Sequence, residues 1–235
     1  EFVLPEEGDY AVGMIFFPEN NKFIERCKQI IADVVENEGA QLLGWRHVPT
    51  DKRCLAGLAA DTEPVVKQVF IGRNNIKKEN FARKLYVLRR QVEKKVNIWK
   101  QENDIFYIAS LSEKNIVYKG LLTGTQLPEY YTDLQDQDFI SAFSIIHQRF
   151  STNTLPTWHR AQPMRYIAHN GEINTLQGNI NRMKAREATF SSEQFGERID
   201  KIKPIIDTSG SASAMFDHVL EFFLHAGRII PHVMM

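Results

Sequence analysis

Residues Tyr10 to Phe17 form a short, nearly continuous apolar run closed by Pro18, the pattern of a buried strand. The period then changes. Asn20 and Asn21 offer an N-cap, and Phe23, Ile24, Cys27, Ile30, Ile31, Val34 and Val35 recur at helical spacing until Gly39 ends the run. "AQLLGWRHV" (40–48) and "VKQVFIG" (66–72) read as the next strands of a β-α-β unit, and the pattern leaves open whether the return is parallel or antiparallel. Phe81 to Val96 is an amphipathic helix with Leu85, Leu88, Val92 and Val96 on one face. Its Arg83, Lys84, Arg89, Arg90, Lys94 and Lys95 are expected on a solvated face.

The second half alternates less regularly. "NDIFYIASLS" (103–112) and "NIVYKGLL" (115–122) read as a hairpin turning at Glu113-Lys114-Asn115. "DFISAFSIIHQRF" (138–150) and "RYIAHNG" (165–171) read as further strands. Thr175 to Glu187 is a helix with Leu176, Ile180 and Met183 on one side. Ser211 to Ala226 is another, expected to bury Met215, Phe216, Val219, Leu220 and Phe223 before Gly227 closes it. Lys77–Asn80 and Lys100–Asp104 are polar loops. Strands and helices ordered this way predict a layered α+β fold rather than a doubly wound sheet. The expected division is an α/β portion over 1–120 and a ligand-site portion over 121–235.

Bulk properties narrow the function. The 235 residues are enough to bury a core without staples. Lys+Arg and Asp+Glu both number 29, and this zero net charge argues against a nucleic-acid partner. Two cysteines, Cys27 and Cys54, make neither a disulfide framework nor a zinc site and suit a reducing compartment, cytoplasm or plastid. No apolar run is long enough to span a bilayer, so no membrane partner is expected. Glu1-Phe2-Val3-Leu4-Pro5 has no signal-peptide character, and the apolar end at Met235 looks cut, so the chain reads as a piece incomplete at both ends.

Candidate chemistry sits at the ends of the later apolar runs. Arg149, leaving the run at 138–150, suits a planar carboxylate met by two parallel hydrogen bonds, and Ser151, Thr152, Asn153 and Thr154 follow as further donors. In "HNGEI", the amide of Asn170 and the N–H of Gly171 can aim two donors at one oxygen, which is the requirement of an oxyanion hole; glycine there allows backbone approach and a positive φ. Asp217 lies in the apolar helical stretch "SASAMFDHVLEFF", where a carboxylate needs a cationic or N–H partner. Each feature alone is an ordinary turn or helix face. Together they make a receptor for glutamine: Arg149 for the α-carboxylate, Asp217 for the α-ammonium, Asn170 and Gly171 for the side-chain amide oxygen.

"HQRFSTNT", "AQPMR", "AHNGEINT", "GNINRMKARE" and "SASAMFDHVLEFFLHAGR", with "YAVGMIFFP" and "FARKLYVLRR" upstream, resemble the type II glutamine amidotransferase domain of glutamate synthases over nearly the whole chain. The resemblance implies an αββα sandwich of the N-terminal-nucleophile type. It implies hydrolysis of glutamine to glutamate and ammonia, the ammonia being channelled to aminate 2-oxoglutarate. It places Arg149 and Thr152 at the α-carboxylate, Asn170 and Gly171 at the oxyanion and Asp217 at the α-ammonium. FMN and an iron–sulfur cluster are implied for the remaining synthase domains, the expected partners, and no cofactor or metal for this chain.

Two departures stand out. "TSGSAS" (208–213) takes the place of a segment that usually reads more acidic. The family's nucleophile is an N-terminal cysteine, whereas this chain begins with Glu1, and Cys27 and Cys54 lie in a helix and a loop. The chain alone is therefore expected to be inactive. The competing readings are an amino-acid-binding regulatory module without a nucleophile, and another type II amidotransferase serving nucleotide, amino-sugar or asparagine synthesis.

Overall fold

A computed structural model describes residues 2–101, 105–149 and 155–234. The chain divides into two compact units, residues 1–144 with 157–159, and residues 145–156 with 160–235. The boundary expected at 120/121 lies inside the first unit.

In the first unit, β1 (Tyr10–Phe17) is followed by α1 (Asn21–Asn37), β2 (Gln41–His47), the short α2 (Leu58–Asp61), β3 (Val65–Gly72), α3 (Lys78–Asn97), β4 (Tyr107–Ser112) and the short α4 (Gln126–Tyr130). The strands form one sheet of order β2-β3-β1-β4, with β3 antiparallel to β2 and to β1, and β1 antiparallel to β4. The return left open by the sequence is thereby settled. β2 runs parallel to β1 but with β3 between them, and β4 likewise runs parallel to β3 across β1. This is a split β-α-β arrangement, used twice. β1 is central, which is why its sequence is apolar on both faces.

One face carries the helices. Ala11, Ile15 and Phe17 of β1, Val69 and Ile71 of β3 and Ile108 of β4 share a core with Phe23, Cys27, Ile31 and Val34 of α1 and Leu85, Leu88 and Val92 of α3. Asn20 caps α1 by accepting the Phe23 N–H at 3.1 Å, and Gly39 follows the helix in the left-handed region at φ 78°. The opposite face is aromatic. Phe16 meets the edge of Trp158, which also packs on Tyr130 and donates through Nε1 to the carbonyl of Ala59 at 3.2 Å. Gly120 lies so close that a Cβ would overlap the Trp158 ring.

Several expectations change. The polar side of α3 is not uniformly solvated: Arg89 and Arg90 are 2% and 8% exposed and both bond Glu93, so charge pairing brings them inside. Lys78–Asn80, expected in a loop, form the first turn of α3, while residues 102–104 lie outside the described residues. The hairpin's first arm is the shorter β4. Its second arm, 115–122, forms no ladder and is held instead by Val117 N–H to Ser110 Oγ and by Tyr131 hydroxyl to the Lys119 carbonyl. Residues 138–149 are not a strand either. Phe139, Ile140 and Phe143 are exposed, since no neighbouring strand among the described residues offers them a ladder or a covering face.

The described residues of the second unit contain helices and no strand: α5 (Leu176–Glu187), α6 (Ile199–Ile202), α7 (Ala212–His225) and α8 (Ile230–Met234). Ile180, Ile206 and Met215 form a small core, flanked by Leu176, Met183 and Val219. Ser211, part of the serine-rich stretch, is the N-cap of α7 and accepts the Ala214 N–H at 3.2 Å. The buried side of α7 is more polar than its pattern suggests. Asp217, His218 and Glu221 are buried beside Met215, Leu220 and Phe222, while Phe216, Val219 and Phe223 are only partly covered. The α+β class therefore holds.

Candidate functional site

The expected site residues that are described all fall in the second unit. Arg149 is exposed, at the end of the segment before residues 150–154, which lie outside the described residues and include Thr152. Its main-chain N–H donates to Nδ1 of His147 at 3.0 Å, and Nε2 of His147 meets the carbonyl of His169 at 3.0 Å. An amide N–H takes Nδ1 as its acceptor, which leaves Nε2 to donate to the carbonyl. His147 thus ties the chain at Arg149 to the chain just before Asn170.

Asn170 and Gly171 are exposed and belong to no regular element. Gly171 does not use the positive φ that glycine allows; the glycines that do are Gly8, Gly39, Gly57, Gly196 and Gly227. A Cβ at Gly171 would meet only His169 Nδ1, at 3.7 Å, an ordinary contact. The preceding residue is anchored as well, with His169 Nε2 2.8 Å from Ser213 Oγ.

The run 165–171, expected to be a strand, is a bend. Met164 N–H donates to the Ile167 carbonyl at 2.9 Å, and the N–H groups of Arg165, Tyr166 and Ile167 point at the side chain of Asp217. A carboxylate takes the place of a partner strand. Asp217 has no exposed surface: Oδ1 accepts from Tyr166 at 2.7 Å and Ile167 at 3.1 Å, and Oδ2 accepts from Arg165 at 3.2 Å. Burial pushes its carboxyl above the usual carboxylate range and the charge of Glu221 adds to this, while Arg165 and the main-chain donors oppose it. The Asp217 carboxyl is thus enclosed and turned onto the main chain.

Sequence reasoning passed over His147 and Ser213. The signal for His147 was present, because "HQR" places it two residues before Arg149. Ser213 carried none that separates it from its serine neighbours. Neither cysteine is set up as a nucleophile: Cys27 is fully buried, and burial pushes the Cys54 thiol up while its Sγ bonds the Asp51 carbonyl. A cleft of about 300 Å³ in the same unit, lined by Arg186, Phe190, Phe222, Phe223 and Arg228, includes none of the expected site residues. Among the described residues no three or more metal-ligating side chains gather, and no helix is long and apolar enough to cross a membrane.

Comparison with known proteins gives this arrangement a family. The sequence profile described as "Glutamine amidotransferases class-II" matches residues 1–235. The chain is 50% identical over 99% of its length to the glutamate synthase [NADPH] large chain of Bacillus subtilis (strain 168), covering 15% of that protein. It is 40% identical over 99% of its length to the glutamate synthase [NADH] of Saccharomyces cerevisiae, covering 11%. To the ferredoxin-dependent glutamate synthase 1, chloroplastic/mitochondrial, of Arabidopsis thaliana it is 41% identical over 96% of its length, covering 14%. The chain thus spans about one-seventh or less of the relatives it matches. It belongs to the class-II glutamine amidotransferases.

Proposed function

We propose that this chain is the glutamine-holding part of the glutaminase domain of a glutamate synthase. In the intact enzyme glutamine is hydrolysed to glutamate and ammonia, and the ammonia aminates 2-oxoglutarate to a second glutamate. Arg149 holds the α-carboxylate, with Thr152 beside it, and the Asn170 amide and Gly171 N–H receive the oxyanion. A cysteine sulfur adds to the amide carbon, the carbonyl oxygen becomes an anion between those donors, ammonia leaves, and water hydrolyses the thioester. That nucleophile lies outside residues 1–235, because Cys27 is enclosed and Cys54 has a raised thiol pKa. The αββα layering implied for the whole domain belongs to the same proposal, as do the remaining synthase domains as partners and a reducing compartment.

The observation that carries this reading is His147, which bonds both the Arg149 N–H and the His169 carbonyl. It sets the carboxylate-binding arginine and the oxyanion turn in one frame. FMN and an iron–sulfur cluster belong to the other domains. The residues here do not fit the cluster, since two cysteines, one of them fully buried, cannot ligate it.

Kinetics of the intact enzyme test the assignment. Arg149→Lys replaces a bidentate fork by a point charge and raises the KM for glutamine. Asn170→Ala lowers kcat by about 10²-fold, the usual effect of losing one oxyanion donor. Unchanged glutamine kinetics in both variants would falsify the site.

A further inference from the structure

Consecutive N–H groups in a strand point to opposite sides, yet those of Arg165, Tyr166 and Ile167 converge on one carboxylate, within 2.7–3.2 Å. Three converging donors make a concave nest for an anion, and the anion is supplied by the protein itself. The nest is closed by the Met164 to Ile167 main-chain bond and ends three residues before Asn170. Ser213, which meets the His169 ring, lies four residues before Asp217 on α7 and so shares its face. The face of α7 therefore serves as a template along which residues 165–169 are laid. From the other side the His169 carbonyl is held by His147.

From this geometry we propose that Asp217 is a positioning residue for the oxyanion donors, acting through the bend at 165–167, and not a contact for the substrate's ammonium. The proposal rests on the glutaminase reading above and deepens it. Asp217→Asn tests it at nearly constant volume. An amide keeps one acceptor oxygen and turns an NH2 group toward at least one main-chain N–H, so the nest cannot be satisfied. The bend shifts, and with it Asn170 and Gly171.

The experiment compares two amides in the intact enzyme: glutamine, and the monoamide of glutaric acid, which is glutamine without its α-amino group. Rates are normalised to active sites titrated with an electrophilic glutamine analogue, so that loss of folded protein does not mimic loss of turnover. A positioning role lowers kcat for both amides by the same factor, about 10- to 10²-fold as for a misplacement of order 1 Å, with KM little changed. Asp217→Glu, which keeps the charge but moves the oxygens, does the same. An ammonium contact instead weakens glutamine alone, leaves the monoamide untouched and is largely rescued by glutamate; that result overturns the proposal. So does unchanged kcat in Asp217→Asn, and so does loss of fold in both variants, since the effect is assigned to one bend and not to the whole unit. Asn170→Ala measured beside them separates the two claims. If it too is without effect, the oxyanion reading has failed; if it alone lowers kcat, only the positioning role has.

Discussion

Thr175, at the entrance to α5, sits at φ 56°. A β-branched residue pays about 1–2 kcal/mol there, because its Cβ crowds the following carbonyl. No side-chain hydrogen bond caps the helix in return. Its methyl group instead lies over Gly178, where a Cβ would come within 3.0 Å of Thr175 Cγ2. Asparagine tolerates the left-handed region better than threonine. Thr175→Asn is therefore expected to raise the stability of the chain by about 1 kcal/mol in urea denaturation. Lower stability would show that the methyl contact over Gly178 outweighs the backbone cost. The same stretch shows what sequence reveals of single residues. The types in "HNGEINT" pointed to oxyanion donors only together with Arg149 and Asp217, because an Asn-Gly pair alone is an ordinary turn. Neither the conformation of Thr175 nor the enclosure of Asp217 could be read there, since each depends on what arrives from elsewhere in the chain.

Elements were legible where one periodicity served one face. α1 and β1 have the expected bounds because their apolar positions all face one core or a central sheet position. Runs 138–149 and 165–171 were apolar enough for strands, but a strand exists only beside another. The first has no partner among the described residues, and the second bonds a carboxylate instead. Ties between elements were equally hidden. Arg46 of β2 grips Asp133, in the turn after α4, with both guanidinium arms, at 2.7 and 2.5 Å, and Tyr118 donates to the same carboxylate at 2.9 Å. The Arg46 hydrogen bonds hold the Asp133 carboxyl below its usual range, against the opposing effect of burial. A depressed carboxyl stabilises the fold above the unfolded pKa of about 3.9 and loses that contribution as pH falls through the folded value. Asp133→Asn should thus cost about 1 kcal/mol at pH 7, the upper range for a half-exposed pair. Melts repeated at falling pH should show the difference closing below about pH 4. A difference constant with pH would mean that shape, not charge, makes the tie.

At the scale of the molecule, the two units carry different parts of the argument. The first is a sheet-and-helix body whose cysteines are structural; the second holds the candidate chemistry. Composition argued against a nucleic-acid partner and a cysteine framework, and pattern gave the α+β class. The division at 144/145 was not legible, because the residues just before it are apolar without being covered. The proposal that the nucleophile lies outside these 235 residues makes a prediction about both cysteines. Cys27 is packed in the α1 and α3 core, where alanine removes the sulfur and keeps the surroundings apolar. Cys54 bonds the Asp51 carbonyl, a contact that serine retains. In the intact enzyme, Cys54→Ser is expected to leave glutaminase kcat and KM unchanged, and Cys27→Ala to lower thermal stability while leaving kcat per titrated active site unchanged. Trapping of a glutamyl thioester by acid quench should still be seen in the double variant. A thioester lost with Cys54 would place the nucleophile inside this chain. The raised thiol pKa in the first unit would then need a base, and the frame built by His147 and Asp217 would have to be reassigned.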